Sequence, residues 1–162
     1  MVTVASKVVV PAHVAQTAAF VLDLSNDRKW RPEVISMQLD PPGPVRVGQR
    51  IVDRMRFGVL PFTVRAQAIE AGPTSFTLRA HGPQMTMRIH RSVAPHPDGA
   101  EVTAEVTVQP HGLLRLLGPL MTVVFRRGLA ADVTRIPAAI APTSHRHQQP
   151  GRRRSTQQPP PG

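Results

Sequence analysis

The sequence has no cysteine and no tyrosine, and its 162 residues include one tryptophan and five phenylalanines. Without cysteine the chain can form no disulfide, no thiolate nucleophile and no thiolate metal site. The scarcity of aromatic side chains also removes the stacking platforms that sequence-tolerant single-strand binders use. Thiol chemistry is therefore excluded, and base stacking is disfavoured.

Long hydrophobic runs are missing as well. The longest apolar stretch, residues 113–125, is interrupted by Arg115, Gly118 and Pro119, and it is too short to span a bilayer. The first residues lack the basic region followed by an unbroken apolar run that a secretory signal needs. We expect a cytoplasmic protein without a transmembrane segment.

Patterns typical of metal and cofactor sites do not occur either. The seven histidines are scattered, and no group of His, Asp and Glu has metal-ligand spacing. The sequence contains no phosphate-binding glycine loop, dinucleotide fingerprint or nucleophile elbow. We predict neither a metal nor a cofactor.

The composition of the chain changes near residue 141. Hydrophobic residues make up 41% of the whole, yet residues 142–162 contain no Val, Ile, Leu, Met or Phe and are rich in Pro, Gln and Arg. Such a segment cannot bury enough apolar surface to offset the entropy lost on ordering. We predict one domain over residues 1–141 and a disordered basic tail over residues 142–162.

Positive charge dominates, with 20 Lys and Arg against 10 Asp and Glu. A basic balance favours anionic partners. In the tail, Arg152, Arg153 and Arg154 form a weak site that physiological salt largely screens. A weak contact of the tail with acidic lipid or nucleic acid therefore stays open beside the simpler interpretation of a solubilising tail.

Alternating hydrophobicity predicts an antiparallel sheet. The β-branched run at residues 8–10 indicates a first strand, and Gly/Pro turns separate the later ones. Those later strands are predicted at residues 34–39, 49–57, 62–70, 75–80, 85–93 and 100–109. Between the first two strands we predict a helix over residues 14–24, and Ser25, Asn26 and Asp27 suggest the cap of a second short helical turn.

The last element is predicted to be a long helix. Its apolar residues recur every three or four positions and form one stripe. They are Leu114, Leu117, Met121, Phe125, Leu129, Val133, Ile136 and Ile140. Pro119 should kink or restart this helix, and Pro137 should weaken its final turn. Because strand alternation leaves one sheet face apolar, we expect the helix to cover that face.

The order of these elements resembles the helix-grip fold of the START-like superfamily, specifically its polyketide cyclase/dehydrase and lipid-transport branch (SRPBCC proteins). The segments that carry the resemblance are Val8-Val9-Val10-Pro11-Ala12, the helix through Val14 and Phe20, Asp27 through Trp30-Arg31-Pro32, Pro44-Val45-Arg46-Val47-Gly48, the Asp98-Gly99 hairpin and the helix over residues 113–136. The resemblance implies an α+β fold, with a curved seven-stranded antiparallel sheet wrapped around a long C-terminal helix and two short helices between strands 1 and 2. It also implies a deep cavity between sheet and helix that holds lipids, polyketides, hormones or quinones.

The inward phase of each strand predicts which residues line this cavity. They are Trp30, Asp53, Met55, Phe57, Val64, Ala66, Phe76, Leu78, Met87, Ile89, Arg91, Ala104, Val106, Leu117, Met121 and Phe125. Two of them are charged, and a charge that faces an apolar interior is costly unless it is paired or hydrated. Arg91 could orient a ligand carbonyl or carboxylate and Asp53 could act as a base, or both could belong to structural ion pairs. Trp30 is either a core anchor or a contact at the cavity mouth.

Three functions remain open at this level. Because convergent polar groups look sparse, the sequence favours a binding or carrier protein for an apolar or amphipathic small molecule, such as a lipid, polyketide or quinone-like compound. The alternative is a polyketide aromatase/cyclase or dehydratase that acts in the same cavity. The third is peripheral association with a membrane or nucleic acid. We assign no catalytic residue and no oligomeric state.

Overall fold

Seven antiparallel strands form one sheet in a computed structural model that describes residues 1–57, 60–82 and 85–141. The strands are β1 (Val2–Val10), β2 (Val34–Asp40), β3 (Arg50–Phe57), β4 (Leu60–Ala71), β5 (Ser75–His81), β6 (Met85–His96) and β7 (Gly99–Pro110). Their order across the sheet is β1-β7-β6-β5-β4-β3-β2. The fold predicted from the sequence is therefore confirmed, while the predicted tail, residues 142–162, lies outside the described residues.

Strand β1 is longer than the sequence predicted. It begins at Val2 rather than Val8, and it pairs with β7 from Val2 opposite Val108 to Val10 opposite Ala100. The β-branched run was the strongest signal, but the alternation of buried and exposed side chains extends to the start of the strand. At the other end, Gly99 has φ +136, and a Cβ there would collide with the carbonyl oxygen of Val10. The β6–β7 turn can therefore pack closely on the end of β1.

Two short helices connect β1 to β2, as predicted. Helix α1 (Val14–Val21) ends earlier than expected, and a 3-10 helix, η1 (Leu24–Lys29), follows it. The cap of η1 is Asp23, whose carboxylate accepts a hydrogen bond from the Ser25 amide at 2.9 Å. The predicted cap group at Ser25, Asn26 and Asp27 was thus placed too late, and Asp27 is instead completely buried.

The C-terminal helix is divided into three segments. A 3-10 turn, η2 (Gly112–Leu117), precedes helix α2 (Gly118–Val133), and a short helix α3 (Ile136–Ile140) follows. Pro119 lies in the first turn of α2, where its missing N–H costs nothing, so the predicted restart is found there. The second break comes just before Pro137, which cannot donate the hydrogen bond to Val133 that a continuous helix would require.

The core lies between the helices and the inner face of the sheet. Helix α2 packs mainly along β1, with further contacts to β7, and α3 also contacts β1. The first buried cluster joins the ends of β1, β6 and β7 to α1, α2 and α3 through Val10, Val21, Trp30, Val102, Val133 and Ile136. The second joins η1 to the middle strands through Leu24, Ile51, Ala68, Phe76 and Leu78. Helix α2 therefore covers β1 more completely than it covers the inner side of β3–β6.

Candidate functional site

A buried ion pair connects η1 to strand β6. The Arg91 guanidinium donates to both oxygens of Asp27, at 2.8 Å and 3.0 Å, and it also donates to the carbonyl of Val21 at 2.8 Å. Burial alone would raise the pKa of Asp27, but Arg91 and Arg31 outweigh burial and hold that pKa below its ordinary value. The bidentate arrangement is the strongest kind of side-chain hydrogen bonding for this pair of groups.

Aromatic rings enclose the same guanidinium. The Cζ atom of Arg91 lies 4.7 Å from the centroid of the Trp30 ring and 5.1 Å from that of Phe76. Such cation–π contacts gain strength where water is excluded, and Arg91 is only 4% exposed. The geometry thus matches the structural ion pair that the sequence left open for Arg91, and it places Trp30 in the core. The indole N–H of Trp30 is buried without a hydrogen-bond partner among the described residues.

Arg31 extends the ion pair into a network. Its Nη1 lies 2.8 Å from Oδ2 of Asp27 and 3.5 Å from Oδ2 of Asp53, and its Nε lies 3.8 Å from Oδ2 of Asp132. Asp132 also accepts a hydrogen bond from Arg135 at 3.1 Å. The network therefore ties η1, β3 and α2 together. Asp53 and Arg91 belong to it without touching, because Asp27 and Arg31 lie between them.

Two carboxyl groups in this network titrate far from their ordinary range. Burial raises the pKa of Asp53 to about 6, against the opposing effect of Arg31. Its Oδ1 is buried and accepts no hydrogen bond from the described residues. Burial, and then the side chain of Glu33, raises the pKa of Asp132 to about 8. Asp53 is thus an inward-facing acid with unused hydrogen-bonding capacity.

An open groove of about 1450 Å³ lies beside the network. It runs between α1, the edge strand β2, the β2–β3 connection and the β4–β5 turn, and its wall has more apolar than polar surface. The apolar side chains that line it include Val14, Ala15, Ala18, Ala19, Leu22, Met37, Leu39, Pro42, Pro44, Val45 and Phe76. The polar ones include Asp23, Ser25, Asp40 and Arg50. Phe76 lines the groove, and its ring also packs against the Arg91 guanidinium. The network therefore contacts the groove wall through Phe76.

The predicted cavity residues that the structure describes fall into three environments. Phe76 lines the groove. Trp30, Asp53, Leu78, Arg91 and Ala104 are buried around the network and the core. Met55, Val64, Ala66, Met87, Ile89, Val106 and Phe125 are half-buried. The side chains of Phe57, Leu117 and Met121 lie outside the described part of the structure.

Sequence reasoning missed the contribution of α1 and β2 to the groove. The signal was present in α1, because Ala15, Ala18, Ala19 and Leu22 follow helical spacing and small side chains leave open space. The half-buried residues on the inner face of β3–β6 form a second incompletely covered apolar surface, since α2 lies mainly along β1. The described helices therefore leave apolar side chains partly uncovered both at the groove and next to it.

Neither a metal centre nor a membrane span is found within the described ranges. Residues 1–57, 60–82 and 85–141 contain no group of three or more His, Cys, Asp or Glu positioned to hold a metal ion. Over the same residues, no helix is both long enough and apolar enough to cross a bilayer.

Comparisons with known proteins agree with this architecture. The family described as "Polyketide cyclase / dehydrase and lipid transport" matches residues 1–141. A START superfamily protein from Mycobacterium smegmatis is 13% identical and superimposes with a TM-score of 0.72, covering 88% of this chain and 99% of its own. A protein from Thermus thermophilus, also 13% identical, has a TM-score of 0.73 over 88% of this chain and 99% of its own.

The di-domain ARO/CYC StfQ of the steffimycin biosynthetic pathway is similar as well. It is 14% identical, with a TM-score of 0.66 over 86% of this chain and 49% of its own length. At such low identities these similarities establish the fold alone. None of the curated proteins matches this chain.

Proposed function

The chain belongs to the polyketide cyclase/dehydrase and lipid-transport family, and on that premise we propose that it binds or carries an apolar or amphipathic small molecule. The groove between α1 and β2 carries this proposal. Its volume of about 1450 Å³ and its apolar wall suit a lipid, a polyketide or a quinone-like compound. Family membership implies hydrophobic ligand binding, and the groove supplies a surface for it.

The polar groups near the groove favour carriage over chemistry. Asp27 and Arg91 are occupied by each other, by Arg31 and by the Val21 carbonyl, and Arg91 does not line the groove wall. A catalyst needs polar groups that converge on a substrate atom. The wall instead offers a few rim groups, such as Asp23 and Asp40, to meet the polar end of an amphipathic ligand.

One observation keeps catalysis as a second candidate. Asp53 has a buried unpartnered Oδ1 and a pKa of about 6, which suits a general base working near neutral pH. In that case the protein would act as a polyketide aromatase/cyclase or dehydratase. The variant Asp53→Asn separates the two functions, because a carrier should keep its ligand affinity and show no turnover before or after the change. A cyclisation or dehydration activity that Asp53→Asn abolishes would establish the enzyme.

Groove binding is tested by titration with a neutral apolar fluorophore such as Nile red. Ala19 is exposed and lines the groove, so Ala19→Phe should fill space and weaken probe binding by roughly tenfold or more. The matched control is Ala131→Phe, at an exposed position of α2 outside the groove, and it should leave the affinity unchanged. Equal affinities for all three proteins would contradict the proposal.

A further inference from the structure

The outer face of the sheet, opposite the helices, carries a concentrated positive charge. Six exposed arginines project from four adjacent strands, and we call them the outer arginine face. They are Arg50, Arg54 and Arg56 on β3, Arg65 on β4, Arg79 on β5 and Arg88 on β6. All six occupy the outward phase of their strands, since their described neighbours in sequence, such as Ile51, Val64 and Leu78, are buried or half-buried.

The strand register places these charges side by side. Arg79 lies directly opposite Arg88, and Gln67 joins Arg79 to Arg50 along the same row. Like charges that face each other across neighbouring strands repel and destabilise a sheet. Such a row is an unfavourable arrangement for an isolated surface, and an anionic partner would relieve it.

Acidic side chains offset this charge only in part. Glu70 Oε2 lies 3.5 Å from Arg88 Nη2, and Asp40 lies opposite Arg50 in the register. The other members, Arg54, Arg56, Arg65 and Arg79, form no ion pair with any residue that the structure describes. Most of the positive charge on this face is therefore available to a partner.

The spacing of the arginines indicates the shape of that partner. Neighbouring strands lie about 4.8 Å apart, so the face is roughly 14 Å wide from β3 to β6, and residues 50 to 56 extend over roughly 20 Å. A two-dimensional array of cations matches a two-dimensional array of phosphates, whereas a nucleic acid strand presents its phosphates in a line. Among the described residues of β3–β6, the outward phase contains no Phe or Trp on which bases could stack.

We propose that the outer arginine face docks onto the surface of an anionic phospholipid bilayer. The attachment is electrostatic, because guanidinium groups and other polar side chains dominate the face, and its apolar residue Val52 is half-buried rather than free to insert. Arg50 and Val52 also line the groove. Docking through this face therefore brings the rim of the groove next to the bilayer, although the inference does not require that the groove hold a ligand.

Vesicle flotation tests the proposal on the full chain. The protein should float with vesicles of phosphatidylcholine and phosphatidylglycerol, and high salt should release it from them. It should not bind vesicles of phosphatidylcholine alone. The triple variant Arg54→Gln, Arg65→Gln, Arg79→Gln should lower the partition coefficient roughly tenfold or more, since each basic residue near an anionic surface strengthens binding by roughly fivefold. None of these three arginines leaves a described ion-pair partner behind.

The matched control removes the same charge from the tail. Arg152→Gln, Arg153→Gln, Arg154→Gln should weaken vesicle binding at least roughly threefold less than the sheet-face triple variant does, because only arginines held against the bilayer contribute their full share of the attraction. Equal losses of vesicle binding in the two triple variants would show that binding depends on net charge and not on the outer arginine face. That result would overturn the proposal. Failure of the unaltered chain to bind anionic vesicles, or tighter binding to duplex DNA at the same salt, overturns it too.

The same variants keep this proposal separate from ligand binding. The sheet-face triple variant should retain its affinity for Nile red, because Arg54, Arg65 and Arg79 do not line the groove. Loss of vesicle binding together with retained probe binding supports the docking face on its own. Loss of probe binding together with vesicle binding overturns the docking face as a site separate from the groove.

Discussion

Inner and outer arginines of the same sheet differ sharply in what surrounds them. Arg91 is buried, paired in bidentate fashion with Asp27 and enclosed by the rings of Trp30 and Phe76. Arg79 is exposed and faces another arginine. The contrast shows that arginine has two different environments in this protein. On the inner side of the sheet it forms a buried ion pair, and on the outer side, at Arg79, it is an exposed charge without an ion-pair partner among the residues that the structure describes.

Removal of the buried Arg91–Asp27 ion pair should have the largest effect on stability. Arg91→Ala leaves the completely buried Asp27 without its bidentate partner, and breaking a buried pair from one side costs about 3–5 kcal/mol. Urea unfolding should show this loss in the free energy of unfolding. The double variant Asp27→Asn, Arg91→Met should lose less than Arg91→Ala alone, since it removes the buried carboxylate together with its bidentate partner and leaves Arg31 paired with Asp53. A loss below about 1 kcal/mol in Arg91→Ala would contradict the role of this pair.

The pH dependence of stability should be the next largest effect. Because the pKa of Asp132 is raised to about 8, the folded chain holds a proton that the unfolded chain releases. The stabilisation is complete below the unfolded pKa and is lost as pH rises through about 8. The free energy of unfolding should therefore fall by about 1–2 kcal/mol between about pH 6 and about pH 8.

Asp132→Asn should flatten that profile, because an amide does not titrate. Asp40→Asn, at an exposed position of β2, serves as the control and should leave the slope in place. A wild-type stability that rises over this pH interval would be incompatible with a protonated Asp132 in the folded state.

Substitution of an outer arginine should have the smallest effect on stability, and it should stabilise the fold rather than destabilise it. Arg79→Gln removes a like charge directly opposite Arg88, so it should leave stability unchanged or raise it by about 0.2–0.5 kcal/mol. High salt should erase that gain, because exposed charges are screened. Thermal unfolding at low and high salt measures both quantities. A clear destabilisation by Arg79→Gln would remove the distinction between the two sides of the sheet.

Much of the fold could be predicted from the sequence because its signals are local. The alternation in residues 100–109 and the Asp98-Gly99 turn predict β7 and its hairpin, and the order of β3 to β7 follows from short connections. The start of β1 was missed because Val2–Lys7 mixes small, polar and apolar residues, and its strand form depends on pairing with β7. The restart at Pro119 followed from proline chemistry alone.

The site was harder to predict because its contacts join distant parts of the chain. The inward phase of β3 and β6 correctly identified Asp53 and Arg91 as buried charges. Their partners, Asp27 and Arg31, lie in or next to a short helix, where they look like ordinary capping and surface residues. Likewise, no residue pattern specifies that α2 lies mainly along β1, although the small residues of α1 do signal the open space beside β2.

The central claim, that an apolar molecule binds in the groove, is tested most directly by mapping amide chemical shifts during titration with Nile red. We predict that the largest chemical-shift changes occur between Ala15 and Leu22 in and just after α1, at Leu39 of β2 and at Phe76 of β5. These residues line the groove. Changes confined to the outer arginine face, or no changes at a saturating probe concentration, would contradict it.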